Sequence, residues 1–453
     1  PMHRLLQGEV GSGKTVVALR AMLAVVDAGG QAALLAPTEV LAAQHARSIR
    51  ALLGPLADQG MLGGSAQATT VTLITGSQPT SARRQALLEV ASGQAGIVIG
   101  THALLEDKVT FADLGLVVID EQHRFGVEQR AALAAKSAEG TRPHVLVMTA
   151  TPIPRTVAIT VFGDLDISVL RELPEGRAAI TTHVVPAIEK PSYLERTWRR
   201  VREEVESGRQ AYVVCPRISS VGSTSTEMDG LESVLGDVVE EDSAMAMANV
   251  EDVFAELTAG PLADLRVGIL HGKMPADEKE SVMRRFAAGH QSADGLDVLV
   301  STTVIEVGVD VPNATAMVVM DADRFGVSQL HQLRGRVGRG GLPGLCLLVT
   351  NAEPGSDARA RLDAVAATTD GFELSQVDLL ARREGNVLGS DQSGRSSSLR
   401  VLSLLRDSEI IIAAREEADQ IVSADPFLVD HPVLAAMAAT LTGPDAAEWL
   451  DRS

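Results

Sequence analysis

The sequence has 453 residues, of which 45% are hydrophobic, and its formal net charge is −19. That length predicts two or three domains with sizeable cores, and no uninterrupted apolar stretch is long enough to span a bilayer, which argues against a membrane protein. The acidic balance is a weak argument against a nucleic-acid partner, since affinity depends on where individual Lys and Arg residues lie. The two cysteines, Cys215 and Cys346, occur in apolar strand-like runs. They are predicted to be buried thiols without a metal or disulfide, which fits a cytoplasmic location.

A phosphate-binding loop stands close to the start of the chain. Residues 8–15 read "GEVGSGKT" and satisfy the pattern G-x-x-x-x-G-K-[ST]. Glycines let the backbone N–H groups of such a loop cradle phosphate oxygens, while the lysine reaches the β- and γ-phosphates and the hydroxyl binds Mg²⁺. The alternative is a chance match in a glycine-rich turn, but strand, loop and helix follow in the required order. The predicted phosphate site comprises Gly8, Glu9, Val10, Gly11, Ser12, Gly13, Lys14 and Thr15.

Apolar strand-like runs alternate with helical patterns along most of the chain. They lie at residues 31–38, 69–76, 95–102, 114–121 and 144–151, and again at 209–216, 265–272, 296–303, 314–321 and 344–350. Continuous Val, Ile and Leu runs separated by helices indicate parallel sheets covered on both faces. The predicted fold class is therefore α/β, with two tandem doubly wound parallel-sheet domains followed by a mainly helical C-terminal region. The predicted boundaries are 1–172 for the first domain, 173–182 for a linker, 183–354 for the second domain and 355–453 for the helical region.

Two acidic residues end the fourth of these runs, "LGLVVIDE". Asp120 and Glu121 would stand at the C-terminal edge of the sheet, where open α/β sheets bind ligands. Asp120 is predicted to hold Mg²⁺, directly or through water, and Glu121 to polarise the attacking water as a general base. Gln122 and His123 are predicted to sense the γ-phosphate. The alternative is that the acids only cap a helix, and the phosphate loop ahead of them makes this alternative weaker.

Two arginines lie in the second half of the chain, in "QLHQLRGRVGRG" at 329–340. Arg336 and Arg339 are three residues apart, so on a helix they would project from one face. Arginines on a partner domain suit an arginine-finger role, in which they stabilise charge on the transferred phosphoryl group. A solvated basic helix is the alternative, but the glycines of this stretch make a plain surface helix a poor explanation.

Together these elements resemble superfamily 2 helicases. The strings "LLAPTEVLAAQH", "GTHAL", "HGKM", "TTVIEVGVDVP" and "HQLRGRVGR" are similar to that superfamily's motifs Ia, Ic, IVa, V and VI. Longer strings narrow the resemblance to the RecG family of bacterial DNA helicases: "PMHRLLQGEVGSGKT", "DEQHRFGVEQR", "TATPIPRT" and "DGFELSQVDLLARREGNVLGSDQSG". The resemblance covers essentially the whole sequence.

This resemblance implies two RecA-like domains that use ATP and Mg²⁺ to move along branched double-stranded DNA, remodelling stalled replication forks and Holliday junctions. It implies nucleotide contacts from Gly308, Asp310 and Gln332. It implies DNA contacts from Thr38, Thr101, His102, Thr303, Arg382, Arg383 and Gln392. In the family, a DNA-binding wedge domain and an adenine-reading segment precede the phosphate loop, so this sequence is expected to be the motor half alone, with weak base discrimination and little junction unwinding.

Two positions depart from the family pattern. Glu9 stands where the family usually has Asp, and "RREGN" at 382–386 replaces the usual "RGPGE" of the motif that couples hydrolysis to movement. One rival interpretation is a transcription–repair coupling translocase, which usually reads "GFGKT" and "DEEH", whereas this chain has Ser12 and Gln122. Another is a nucleotide-gated DNA-binding scaffold without hydrolysis, against which the intact Lys14, Glu121 and Arg339 argue.

Overall fold

A computed structural model describes residues 1–57, 65, 68–106, 108–120, 142–150, 165–171, 178–218, 248–303, 311–381 and 407–441. Several predicted site residues lie outside these ranges: Glu121, Gln122, His123, Gly308, Asp310, Arg382, Arg383 and Gln392. Within the described part of the chain, no helix is both long and apolar enough to cross a membrane.

The first domain is built on a seven-stranded parallel sheet. Its strands are β1 (His3–Gly8), β2 (Gln31–Leu35), β3 (Thr70–Ile74), β4 (Ala95–Gly100), β5 (Leu114–Asp120), β6 (His144–Thr149) and β7 (Asp166–Leu170). They are ordered β3-β4-β2-β5-β6-β1-β7 across the sheet. The helices α1 (Lys14–Asp27), α2 (Glu39–Leu53) and α3 (Thr80–Ala91) connect them. Because the strands are parallel, all of them end at one edge of the sheet.

Helices cover both faces of this sheet, which explains why its central strands are apolar at every position. Leu34 packs with Met22 of α1 and Ile49 of α2 in the layer on one face. The next residue, Leu35, packs with Val90 of α3 in the layer on the other face. Successive side chains of a strand point to opposite faces, so an uninterrupted apolar run is what a doubly covered sheet requires.

The second domain repeats this architecture with six parallel strands. They are β8 (Ile180–Pro186), β9 (Gln210–Val214), β10 (Val267–Leu270), β11 (Val298–Ser301), β12 (Ala314–Val319) and β13 (Gly344–Thr350), in the order β10-β11-β9-β12-β13-β8. The helices are α4 (Pro191–Glu206), α5 (Val250–Ala259), α6 (Ala276–Ala288) and α7 (Val327–Arg334). Helices α8 (Asp357–Ala367), α9 (Gly371–Ala381), α10 (Ser408–Ala424) and α11 (Pro432–Leu441) follow. The predicted fold class is confirmed.

The structure agrees with the predicted strands and the predicted burial of the two cysteines, and it corrects the end of the predicted linker. Each predicted apolar run contains a strand, and both Cys215 and Cys346 are buried. Burial raises the pKa of both thiols to about 12, so they stay protonated at neutral pH. The predicted linker, 173–182, is too long, because β8 begins at Ile180 and pairs with β13 along its whole length.

Candidate nucleotide and DNA site

The phosphate loop folds back over the end of β1 with the help of its glycines. Gly11 and Gly13 have φ angles of 88° and 89°, a left-handed conformation that glycine adopts at little cost. A Cβ at Gly8 would stand 2.5 Å from Ser12 Oγ and 3.1 Å from the carbonyl oxygen of Leu170, so a larger residue there would displace the Ser12 side chain. The backbone N–H of Ser12 donates to the carbonyl of Glu9 at 3.1 Å, which completes the turn.

The polar groups of the loop suit a phosphate. Lys14, the first residue of α1, donates from Nζ to the carbonyls of Gly8 at 2.7 Å and Glu9 at 2.9 Å, so its ammonium lies within the loop. Ser12 Oγ is buried, and among the described residues it has no hydrogen-bond partner. A buried hydroxyl without a partner is uncommon, whereas a phosphate oxygen would satisfy it. The loop therefore has the cation, the hydroxyl and the helix N-terminus that an anion needs.

Asp120 stands where β5 ends, at the same sheet edge as the loop. Strand β6 lies between β5 and β1, so two strand spacings separate the acid from the start of the loop. Its Oδ2 atom lies 2.8 Å from Nε2 of His45, on α2, and the two side chains are only 13% and 12% exposed. His45 was not predicted as a site residue. The strand order that brings α2, which follows β2, close to the end of β5 is a property of the folded sheet and is not visible in the sequence.

The predicted arginine pair lies in the second domain after a helix, and the prediction that both project from one helical face is wrong. Helix α7 ends at Arg334, ahead of both arginines, and Gly338, with a φ angle of 73°, lies between them. Arg336 lies in the turn that follows the helix, and Arg339 Nε donates to the carbonyl of Gly335 at 2.9 Å.

The stretch that contains both arginines, residues 329–340 (the arginine segment), nevertheless contacts the phosphate loop across the domain boundary. The Val10 side chain lies 3.6 Å from the point where a Cβ of Gly335 would stand. Glu9 Oε1 lies 3.9 Å from Nε2 of His331, on α7. Gln332, predicted to contact nucleotide, is a buried residue of the same helix. The structure thus brings the loop of the first domain and the arginine segment of the second together.

The described residues predicted to contact DNA follow the ends of three strands. Thr38 comes after β2 and caps α2, accepting a hydrogen bond from the N–H of Leu41 at 3.3 Å. Thr101 comes after β4, is buried, and accepts from the N–H of Ala103 at 3.5 Å, while His102 beside it is exposed. Thr303 follows β11 in the second domain and is half-buried. In the first sheet β2 lies beside β5 and β4 lies beyond β2, and all strands are parallel, so Thr38, Thr101, His102 and Asp120 stand at one edge of that sheet.

Comparisons with known proteins follow the same division of the chain. The DEAD/DEAH box helicase family matches residues 2–159 and the helicase conserved C-terminal domain matches residues 194–341. The C-terminal part of domain 3 of the ATP-dependent DNA helicase RecG matches residues 368–441. The RecG of Mycobacterium tuberculosis is 56% identical over 453 residues. This similarity to RecG extends over the whole length of the chain. The RecG of Bacillus subtilis is 44% identical over 427 residues.

The chain spans part of these RecG proteins. It aligns over its whole length with 58% of the Mycobacterium tuberculosis RecG, and 94% of it aligns with 56% of the Bacillus subtilis RecG. A solved structure of RecG bound to a three-way DNA junction is similar with a TM-score of 0.64 and 37% identity, covering 91% of this chain and 47% of that one. The helicase Lhr of Mycobacterium smegmatis, bound to single-stranded DNA and AMP-PNP, shares the fold at 19% identity, with a TM-score of 0.57. The two parallel-sheet domains are RecA-like helicase domains.

Proposed function

We propose that the protein is an ATP-dependent helicase that moves along double-stranded DNA and remodels branched DNA such as stalled replication forks and Holliday junctions. The observation that carries this proposal is the meeting of the phosphate loop with the arginine segment across the domain boundary, at Val10–Gly335 and Glu9–His331. The RecG structure bound to a three-way junction supports branched DNA as the substrate. DNA remodelling in a bacterium takes place in the cytoplasm, so the proposal includes that location.

Within this proposal, the residues of the loop bind and orient a nucleoside triphosphate. When bound, ATP would supply, through its hydrolysis, the free energy for movement along DNA. Lys14 neutralises phosphate charge at the start of α1, and the backbone N–H groups of the loop donate to phosphate oxygens. Glu121 acts as the general base. Arg336 and Arg339 stabilise the charge that develops on the transferred group. The proposed nucleotide contacts outside the loop are Gly308, Asp310 and Gln332, while Gln122 and His123 sense the γ-phosphate.

A magnesium ion is part of the same proposal. Thr15 and Asp120 are the residues that would hold it. Among the described residues, no group of three or more His, Cys, Asp or Glu side chains is placed to hold a metal ion on its own. Mg²⁺ is usually bound through one or two carboxylates together with substrate phosphates. A site of one hydroxyl and one carboxylate therefore fits a metal that enters with the nucleotide.

The proposed DNA track runs along the strand ends of the two sheets. Thr38, Thr303 and the exposed His102 would contact the DNA backbone, whereas the buried hydroxyl of Thr101 would act by shaping the turn that presents His102. Contacts of this kind hold phosphates and carry no sequence information. Arg382, Arg383 and Gln392 are proposed to couple hydrolysis to movement. Closure of the cleft around ATP and reopening after hydrolysis would give the two states that directional work requires.

The test measures phosphate release by this chain with and without forked DNA. We expect DNA to stimulate hydrolysis, and Glu121→Gln to bind ATP while turning over on the order of 10²–10⁴ more slowly, because a positioned base contributes that much. Glu195→Gln, which changes an exposed acid on α4, is the control and should behave like the unaltered chain. Nucleotide binding without any hydrolysis would contradict the proposal, as would hydrolysis that does not respond to DNA.

A further inference from the structure

Glu9 of the phosphate loop makes a direct contact with the helices that follow the second sheet. Its Oε1 atom accepts a hydrogen bond from the backbone N–H of Gly371 at 2.9 Å, although 362 positions separate the two residues. Gly371 is buried and is the first residue of α9. The Glu9 side chain is 17% exposed, so this charged hydrogen bond is largely shielded from water and correspondingly strong.

The carboxylate of Glu9 reaches a point where three helices of the second half meet. His331 of α7 lies 3.9 Å away, and Arg334 Nη2 lies 2.8 Å from Nδ1 of His331. Arg334 also donates to the carbonyls of Val365 and Thr368, each at 2.7 Å, at the end of α8. A shift of the Glu9 side chain would therefore change contacts of α7, α8 and α9 together.

The backbone of the same residue is tied to the group that meets the phosphates. The carbonyl of Glu9 accepts from Lys14 Nζ at 2.9 Å and from the N–H of Ser12 at 3.1 Å. A triphosphate oxygen is a charged acceptor and binds an ammonium more strongly than a neutral carbonyl does. Phosphate in the loop would thus draw Lys14 from Glu9, and its negative charge would repel the Glu9 carboxylate.

Helix α9 has a cap of its own, so Glu9 is not needed to start it. Asp370 Oδ1 accepts from the N–H of Phe372 at 2.7 Å and from that of Glu373 at 3.4 Å. A side chain on the residue before a helix normally supplies this cap. The additional carboxylate, brought from the other domain, is thus a connection between the loop and α9 rather than a requirement of the local fold.

We propose that Glu9 is a positioning residue that transmits occupation of the phosphate loop to α9. Phosphate binding takes Lys14 from the Glu9 carbonyl, the hydrogen bond from Gly371 to Glu9 breaks, and the start of α9 is released. The inference rests on the proposed function, because it requires that the loop bind nucleotide. It identifies a route from the nucleotide to the C-terminal helices that does not pass through Arg336 or Arg339.

Hydrogen–deuterium exchange of peptides spanning residues 369–375 tests this route, in the whole chain with and without saturating AMP-PNP and Mg²⁺. Loss of a hydrogen bond to a charged group should speed exchange about tenfold. We expect this increase on adding nucleotide to the unaltered chain. We expect the same increase in Glu9→Ala without nucleotide, and no further response when nucleotide is added.

Two further variants separate this role from local fraying. Asp370→Ala removes the local cap and should speed exchange in every condition, yet still respond to nucleotide. Glu9→Gln keeps an uncharged acceptor and should retain part of the protection. The inference is overturned if Glu9→Ala exchanges at the normal rate without nucleotide, an arm that needs no binding by the variant. It is also overturned if nucleotide leaves the exchange rate of the unaltered chain unchanged while a fluorescent analogue shows that nucleotide binds. Absence of any nucleotide binding would overturn the proposed function as well.

Discussion

His45 shows how one side chain on a helix fixes the orientation of an acid at a sheet edge. Its Nε2 atom lies 2.8 Å from Oδ2 of Asp120, and both side chains are largely buried. Asp120 was predicted because an acid ends an apolar strand, a pattern that is visible in the sequence. His45 was not, because 75 positions separate it from Asp120. Nothing local in a sequence reports which side chain of α2 faces β5.

We predict that His45→Ala lowers kcat for ATP hydrolysis about tenfold and raises the Mg²⁺ concentration needed for half-maximal activity. Residues that orient a metal-binding side chain typically contribute 10- to 100-fold. His45→Gln retains a donor that can reach Asp120 and should recover most of the loss. Steady-state hydrolysis across a Mg²⁺ titration checks this. A kcat that falls equally in the Ala and Gln variants would show that His45 acts by packing alone.

The strands of the two sheets differ in how visible they were in the sequence. The central strands β2, β4 and β9 are buried at every position, and such runs are apolar because helices cover both faces. Strand β7 lies at a sheet edge and is exposed or half-buried throughout, so it shows no apolar run. Strand β8 reads "ITTHVVP" and alternates in burial, which made its start resemble a linker.

An ion pair joins the starts of β10 and β11 in the second sheet. Arg266 donates from Nε and Nη2 to Asp297 at 3.0 and 2.6 Å, and its backbone N–H donates to the same carboxylate at 3.0 Å. Burial raises the pKa of the Asp297 carboxyl. The hydrogen bonds and charge of Arg266 lower that pKa by more than burial raises it, so the pKa lies below its usual value. A lowered pKa stabilises the folded state above the unfolded pKa of about 4. This contribution is lost as the pH falls from there through the folded value.

We therefore predict that Arg266→Met destabilises the second domain by roughly 2–3 kcal/mol at pH 7, because it leaves a buried carboxylate without its counterion. The difference from the unaltered chain should shrink as the pH approaches 4, where Asp297 of the variant is protonated. Urea unfolding at both pH values measures this. Arg284→Met removes an exposed pair with Glu280 and should have no measurable effect. Equal destabilisation by the two variants would contradict the prediction.

At the scale of the whole molecule, the order of the motifs made the architecture predictable, and the helical spacing of the two arginines was misleading. Helix α7 ends at Arg334, so Arg336 and Arg339 both lie beyond it. The contacts that Gly335 and His331 make with the phosphate loop agree with the arginine-finger role that was expected of the two arginines on a partner domain. The contact between Glu9 and Gly371 was not predicted at all, because it depends on how two separately folded domains and a following helix pack together.

The phosphate loop of the first domain and the arginine segment of the second should affect hydrolysis in different ways. Lys14 lies within the loop and would contact phosphate in the bound ground state, whereas Arg339 acts on charge that appears during transfer. We predict that Lys14→Ala abolishes ATP binding. Arg339→Ala should lower kcat on the order of 10³-fold, in the range known for arginine fingers, while the Kd for ATP changes only a few-fold.

Arg285 offers a matched control for Arg339, because its Nε also donates to a backbone carbonyl, that of Asp294, at 2.9 Å. Arg285→Ala removes an equivalent local hydrogen bond at the end of α6 and should leave both kcat and Kd unchanged. Single-turnover hydrolysis and titration with a fluorescent ATP analogue, run on the three variants, separate the two effects. If Arg339→Ala lost ATP binding and kept its single-turnover rate at saturation, Arg339 would be a ground-state contact. The second domain would then bind nucleotide without catalysing its hydrolysis.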